Sequence, residues 1–262
     1  MMKINIFLMC LIIASSTINA QQEETSSIER KSINYPSIDI GVDSLSERKA
    51  AQLETADSFH VFHDFQFTDQ LPESGITFKN KIVDDAGKNY KLVHYDHGNG
   101  IAVADVDNDG LYDIYFVTQL GTCELWKNQG NGKFQNITES SGTGLTDKVA
   151  VTASFADIDN DGDDDLYVTT ARQGNVLFEN DGKGHFKNIS KESHLDYVGH
   201  SSAAVFFDYN NDGMLDLFLV NVGHYTTDQK GPGGYFIGMD HAFEGHLMTN
   251  KSERSILFKN LG

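Results

Sequence analysis

The chain has 262 residues and a formal net charge of −18, with 20 Lys and Arg against 38 Asp and Glu. Clusters of Lys and Arg are absent, which excludes nucleic acid as a partner, because phosphate binding needs concentrated cations. Only two cysteines are present, Cys10 and Cys123.

The first 20 residues read as a secretory signal peptide. Lys3 precedes an apolar core from Ile4 to Ala14, and small or polar residues lead to Ile18-Asn-Ala20 ahead of Gln21. The apolar run is too short to span a bilayer. A buried N-terminal strand is the competing reading. Removal of this segment takes Cys10 with it, leaves Cys123 alone and allows no intramolecular disulfide. The expected location is extracellular or periplasmic. Residues 21–57 are polar and of mixed charge, a flexible leader with one or two amphipathic turns near Leu45 to Leu53.

The pattern changes from about residue 58, and 58–262 reads as one repeat domain. Phe67-Thr-Asp-Gln-Leu-Pro-Glu-Ser-Gly75 echoes Phe134-Gln-Asn-Ile-Thr-Glu-Ser-Ser-Gly142. Since the later segment ends a repeat, Phe67 to Leu71 is expected to be an orphan fourth strand that completes the last unit of a ring.

Three acidic loops follow, 52 and 51 residues apart: Asp105-Val-Asp107-Asn-Asp109-Gly110-Leu111-Tyr-Asp113, Asp157-Ile-Asp159-Asn-Asp161-Gly162-Asp163-Asp-Asp165 and Asp208-Tyr-Asn210-Asn-Asp212-Gly213-Met214-Leu-Asp216. Oxygen ligands at positions 1, 3, 5 and 9, with a backbone carbonyl at position 7 (Leu111, Asp163, Met214), are what a hard cation such as Ca²⁺ requires. The glycine at position 6 is expected to let the chain turn where a Cβ would clash. Asn210 is a neutral oxygen ligand and should weaken the third site. The loops hold thirteen aspartates, Asp163 and Asp164 included, so the acidity is concentrated at ion sites.

The flanks exclude an EF-hand. Its bidentate glutamate would stand at position 12, where this chain has Phe116, Val168 and Leu219. Short runs rich in β-branched and aromatic residues enclose each loop: Gly100 to Ala104 and Ile114 to Val117, Val151 to Ala156 and Leu166 to Thr169, Ala203 to Phe207 and Leu217 to Val220. These read as strands. Leu125-Trp-Lys-Asn128 with Gly130-Asn-Gly-Lys-Phe134 recurs as Leu177-Phe-Glu-Asn180 with Gly182-Lys-Gly-His-Phe186, a hairpin signal. Each repeat is therefore four strands in about 50 residues, the size of a propeller blade.

On these motifs the region from about residue 60 onward resembles the FG-GAP/VCBS repeat, the calcium-loop blade of integrin α-chain propellers. The run from His97 to Gly110, followed by Leu125-Trp-Lys-Asn128, is most similar to the cartilage acidic protein/UnbV-type branch. The resemblance implies an all-β propeller of four-stranded blades, with about three blades in this chain and a larger ring. It also implies about three Ca²⁺ ions held by the loop residues named above.

Blade three carries an insertion, 223–255, rich in Gly, His and aromatics: His224, Tyr225, Tyr235, Phe236, His241, Phe243 and His246. Long loops on rigid scaffolds often bind partners. Two readings follow. One is a calcium-stabilised recognition or adhesion module for extracellular protein or glycan. The other is an enzyme on polysaccharide, with His94, His97, His200, His224, His241 and His246 drawn together. No H-E-x-x-H pair, G-x-S-x-G elbow or Gly-rich phosphate loop supports the second. A lid packed over its own blade is the plainer reading of the insertion. Asn136-Ile-Thr138, Asn188-Ile-Ser190 and Asn250-Lys-Ser252 have the form of glycosylation sites, although the first two recur with the strand pattern. Trp126, aligned with Phe178 and Phe258, reads as core, and Tyr115, Tyr167 and Phe218 as packing between blades.

Overall fold

The computed structural model describes residues 46–47, 49–51, 54, 66–83, 100–239 and 250–262. The signal peptide and most of the leader lie outside the described residues. The chain divides into two units, 1–67 and 68–262. In the first, residues 46–47, 49–51 and 54 are helical, where the sequence suggests a short amphipathic turn.

The second unit is built from antiparallel strands. Strands β1 (Ile101–Ala104), β2 (Asp113–Phe116), β3 (Glu124–Asn128) and β4 (Phe134–Asn136) form one sheet in that order. The next repeat gives β5 (Ala150–Ala156), β6 (Asp165–Thr170), β7 (Val176–Asn180) and β8 (Phe186–Asn188), again in sequence order. The third sheet joins β9 (Ser201–Phe207), β10 (Asp216–Asn221) and β13 (Ile256–Phe258). Between β10 and β13 the insertion forms its own hairpin, β11 (Thr226–Lys230) and β12 (Phe236–Gly238). The fold is all-β with four-stranded antiparallel sheets, as the sequence predicts.

Alternation decides which side of each sheet meets a neighbour. Tyr115 and Leu125 of sheet one face Leu166, Val168 and Phe178 of sheet two in one buried cluster. Tyr167 and Leu177, on the other face of sheet two, pack with Leu217 and Leu219 of sheet three. Burying each such side chain contributes about 1.5–3 kcal/mol. Both tyrosines also anchor the exit of their blade. The Tyr115 hydroxyl donates to the Thr143 carbonyl, and that of Tyr167 to the Leu195 carbonyl, each at 3.0 Å. Phe218 holds the same register without a hydroxyl, and its row across sheet three, Val205, Phe218 and Leu257, is exposed.

The segment around residue 70 differs from expectation. No strand forms at 66–70. The chain instead enters a short helix, α1 (Leu71–Ser74), closed by Gly75 at φ 83°. A second one-turn helix, α2 (Thr138–Ser141), closes on Gly142 at φ 77°. The echo is therefore real at the exit turn. Asp69 Oδ1 accepts from Leu71 N–H as Asn136 Oδ1 does from Thr138 N–H. A Cβ on Gly75 would meet the Phe134 carbonyl at 3.4 Å, and one on Gly142 the Phe186 carbonyl at 3.1 Å. The turn is encoded locally, whereas a strand needs a neighbour to pair with, and no described strand lies beside 66–70.

The recurring N-x-[ST] pattern has a structural cause. Thr138 and Ser190 are buried, and their hydroxyls accept from the N–H groups of Leu125 and Leu177 at 2.9 Å. The asparagine before each caps the same turn.

Candidate metal centre

Each acidic loop joins strands one and two of its sheet and is folded by its own aspartates. The position-1 carboxylates Asp105, Asp157 and Asp208 accept from the N–H groups of positions 5 and 6, at 2.8–3.1 Å. The position-5 residues Asp109, Asp161 and Asp212 accept from the N–H of position 7, namely Leu111, Asp163 and Met214. Such side-chain bonds to nearby backbone are what Asp and Asn favour in turns. The position-4 residues Asn108, Asn160 and Asn211 sit at φ 57°, 62° and 58°, in the left-handed region. Gly110, Gly162 and Gly213 follow at 84°, 95° and 87°. A Cβ on any of these glycines would meet nothing within 4 Å. Glycine is required there for its backbone angle, so the expected clash is corrected.

Ligating atoms of Asp105, Asp107 and Asp109 lie within 4.8 Å of one another, and those of Asp157, Asp159 and Asp161 do the same. In the third loop the Asn210 amide donates to Asp212 at 2.9 Å. The position-9 aspartates stand apart from these groups. Asp113, Asp165 and Asp216 are buried at the start of strand two, where each takes two backbone N–H groups. One comes from position 2 of the loop (Val106, Ile158, Tyr209) and one from the asparagine of strand three (Asn128, Asn180, Asn260). Burial pushes the Asp165 carboxyl up to about 6.

The loops are tied to one another. Asn108 donates to the Asp163 carboxylate at 2.6 Å, and Asn160 to the Gly213 carbonyl at 3.0 Å. Asn180 and Asn260 reach back to the carbonyls of Val106 and Ile158, in the preceding loop.

Residues that the loop motif does not include also act at the site. Lys127 is ion-paired with Asp107 and stands 3.0 Å from Asp109. Its ammonium group holds the Asp109 carboxyl below the usual carboxylate range. Lys259 lies 3.3 Å from Asp212. The alignment of Trp126 and Phe258, each followed by a lysine, was the available signal for both. The donor set fits a hard divalent cation, being all oxygen and largely anionic. Asp107 Oδ1 is buried and has no hydrogen-bond partner in the described structure, an orphan that a cation at this loop would satisfy.

The insertion lies at the other end of the strands. Tyr225 and Tyr235 are buried with Val83, Val149, Val151 and Ala171, with Leu120 packed against them. The insertion thus spans sheets one and two as well as its own. These two tyrosines anchor the insertion. His200 and His224 do come together, with ring centroids 5.1 Å apart. His200 is 1% exposed, and both its ring nitrogens are engaged, with Glu253 at 2.6 Å and Thr226 at 2.9 Å. His94, His97, His241 and His246 lie outside the described residues. Beside the hairpin, Arg172 from the end of sheet two's second strand and Lys230 flank the half-buried Phe236 ring at 4.6 and 5.1 Å. No helix among the described residues is long and apolar enough to cross a membrane.

Residues 105–168 and 157–219 match the family of FG-GAP-like repeats. Over residues 105–219 the chain carries FG-GAP-like repeats. It is also similar to cartilage acidic protein 1 of Xenopus tropicalis, 26% identical over 168 residues, which is 63% of this chain and 25% of the relative. The protein of that name from Homo sapiens is 28% identical over 172 residues, 62% and 23% respectively. That from Mus musculus is 28% identical over 134 residues, 48% and 21%. The chain thus spans about a quarter of the length of these relatives. The FG-GAP-like matches begin at the first acidic loop and run past the third, so the loops belong to the repeat itself.

Proposed function

We propose that this FG-GAP-like protein is a secreted, calcium-stabilised module that recognises extracellular protein or glycan. Three acidic loops, each built by the same internal hydrogen bonds, carry the calcium reading. An ion held by positions 1, 3 and 5 and the carbonyls of Leu111, Asp163 and Met214 would tie strand one to strand two in each blade, with Asp113, Asp165 and Asp216 committed to the backbone of the turn. With free calcium about 100-fold above the dissociation constant, each occupied site adds about 2.7 kcal/mol. For a chain that keeps one cysteine after processing, such ties replace disulfide staples.

The blades are proposed to belong to a larger propeller ring. The exposed row of Val205, Phe218 and Leu257 is the face on which a further blade would stack, and Phe67 to Leu71, leading into the exit turn α1, would become the fourth strand of the closing blade only once a third strand pairs with it. The relatives' name sets them in cartilage, which agrees with an extracellular role. Recognition is assigned to the insertion end, away from the loops, where Phe236, Arg172, Asp228 and Lys230 give a mixed polar and aromatic surface. The engaged nitrogens of His200 disfavour the alternative of polysaccharide catalysis through this face.

The test is thermal unfolding of the purified protein in millimolar calcium and in excess chelator, with a count of bound ions. A fall of roughly 5–10 °C per site lost is expected. Unchanged melting and no bound calcium would reduce the loops to ordinary turns.

A further inference from the structure

Lys127, Glu179 and Lys259 each immediately precede the asparagine (Asn128, Asn180, Asn260) whose N–H bonds the position-9 aspartate, the first two on β3 and β7 and Lys259 one residue past β13. Their charges alternate. In blade one the Lys127 ammonium is bound to Asp107 and Asp109, two of the three clustered carboxylates of its loop. In blade three Lys259 pairs with Asp212, in a loop where Asn210 already replaces one carboxylate. In blade two the same position holds the opposite charge. Glu179 is itself an anion, and its partner Lys187 stands 3.7 Å away on the adjacent strand, with both side chains well exposed. Among the described residues, no lysine or arginine pairs with Asp157, Asp159 or Asp161. Asp163 and Asp164 add further negative charge to that loop.

We propose that the three loops form a graded set, in which loop two takes a divalent cation tightly and loops one and three take theirs only by displacing a lysine tethered on strand three. The proposal rests on the calcium reading above. An ammonium group and a divalent cation compete for the same carboxylate oxygens and repel each other at close range. Loop charge sets calcium affinity over several decades in other oxygen-donor loops. The bare loops differ in the same sense: three carboxylates unopposed in loop two, three opposed by one lysine in loop one, two opposed by one lysine in loop three. Affinity therefore falls in the order two, one, three. Lys127 and Lys259 also offset part of their loops' negative charge when calcium is scarce, so loop two depends most on the ion to relieve its own repulsion.

Calorimetric titration of the purified protein with calcium chloride tests this. The wild type should show one tight step followed by weaker ones, separated by about tenfold or more. Asp159→Asn should remove the tight step. Lys127→Met, which keeps the apolar stem, should strengthen one weak step by roughly tenfold. Glu179→Lys should weaken the tight step by a similar factor, which carries the test in the opposite sense if the first variant does not fold. Equal affinities at all sites, or a tight step that survives Asp159→Asn, would overturn the grading while leaving the calcium reading intact. Absence of any calcium binding to the wild type would instead remove the calcium reading, and the grading with it.

Discussion

The side-chain amide of Asn180 donates to the carbonyl of Val106 at 2.9 Å, across 74 residues and from one blade to the loop of the blade before it. The same amide reaches the Asp164 carbonyl at 3.2 Å, and the backbone N–H of Asn180 bonds Asp165. One asparagine thus joins two loops and the third strand. Asn180→Ala should cost about 2–3 kcal/mol, since it leaves the carbonyl of fully buried Val106 unsatisfied. Asn128, at the matching position in blade one, bonds the Tyr112 carbonyl through its exposed amide. Its alanine variant should cost less than half as much, and urea unfolding of the two variants checks the ratio.

The hydroxyls of Tyr115 and Tyr167 are each committed to one carbonyl in the exit turn of their blade. Replacing either by phenylalanine keeps the ring packing and removes one hydrogen bond, for an expected loss of about 1–2 kcal/mol. Because Phe218 already lacks this bond, Phe218→Tyr should gain nothing. A gain in stability there would show that blade three has an acceptor waiting.

Thr138→Ala and Ser190→Ala should each destabilise by about 1–2 kcal/mol even in protein made without glycosylation, because the lost hydroxyl serves a buried N–H. Asn136→Gln should be milder, since it disturbs only the cap of the turn and an exposed bond to Glu124. Equal melting points for the Thr138 variant and the wild type would return the sequon to a purely glycan-related role.

Glu253 links the end of the insertion to the start of β9 by accepting from the ring and the backbone N–H of His200, both at 2.6 Å. Burial raises its carboxyl, but the two His200 bonds outweigh that and hold it below the usual glutamate range. A depressed carboxyl contributes stability above its unfolded value, and the contribution is lost as pH falls through the folded one. The stability advantage of the wild type over Glu253→Ala should therefore be constant near neutrality, at roughly 2–3 kcal/mol. It should shrink as pH drops below about 4.3. Melting curves of both proteins between pH 3 and 7 read this difference directly.

What could be read from the sequence is what the chain states locally and repeats. Asp105, Asp157 and Asp208 announce their loops because a turn held by its own side chains needs no distant partner. The alternation around Tyr115, Tyr167 and Phe218 fixes which faces are apolar, and a fixed spacing fixes the blade. Tertiary structure decided everything that joins residues far apart in the chain. Tyr225 and Tyr235 became anchors because the segment ahead of sheet one supplies Val83, and the entry and first strand of sheet two supply Val149 and Val151, beneath them. His200 found Glu253 because β9 and the end of the insertion meet, 53 residues apart. Lys127 became a counter-ion because strand three passes beside the loop, and Phe67 lies on the surface rather than in a sheet. Hydrogen bonds within a turn are encoded by adjacent residues, whereas burial and charge pairing depend on which surfaces the folded sheets bring together.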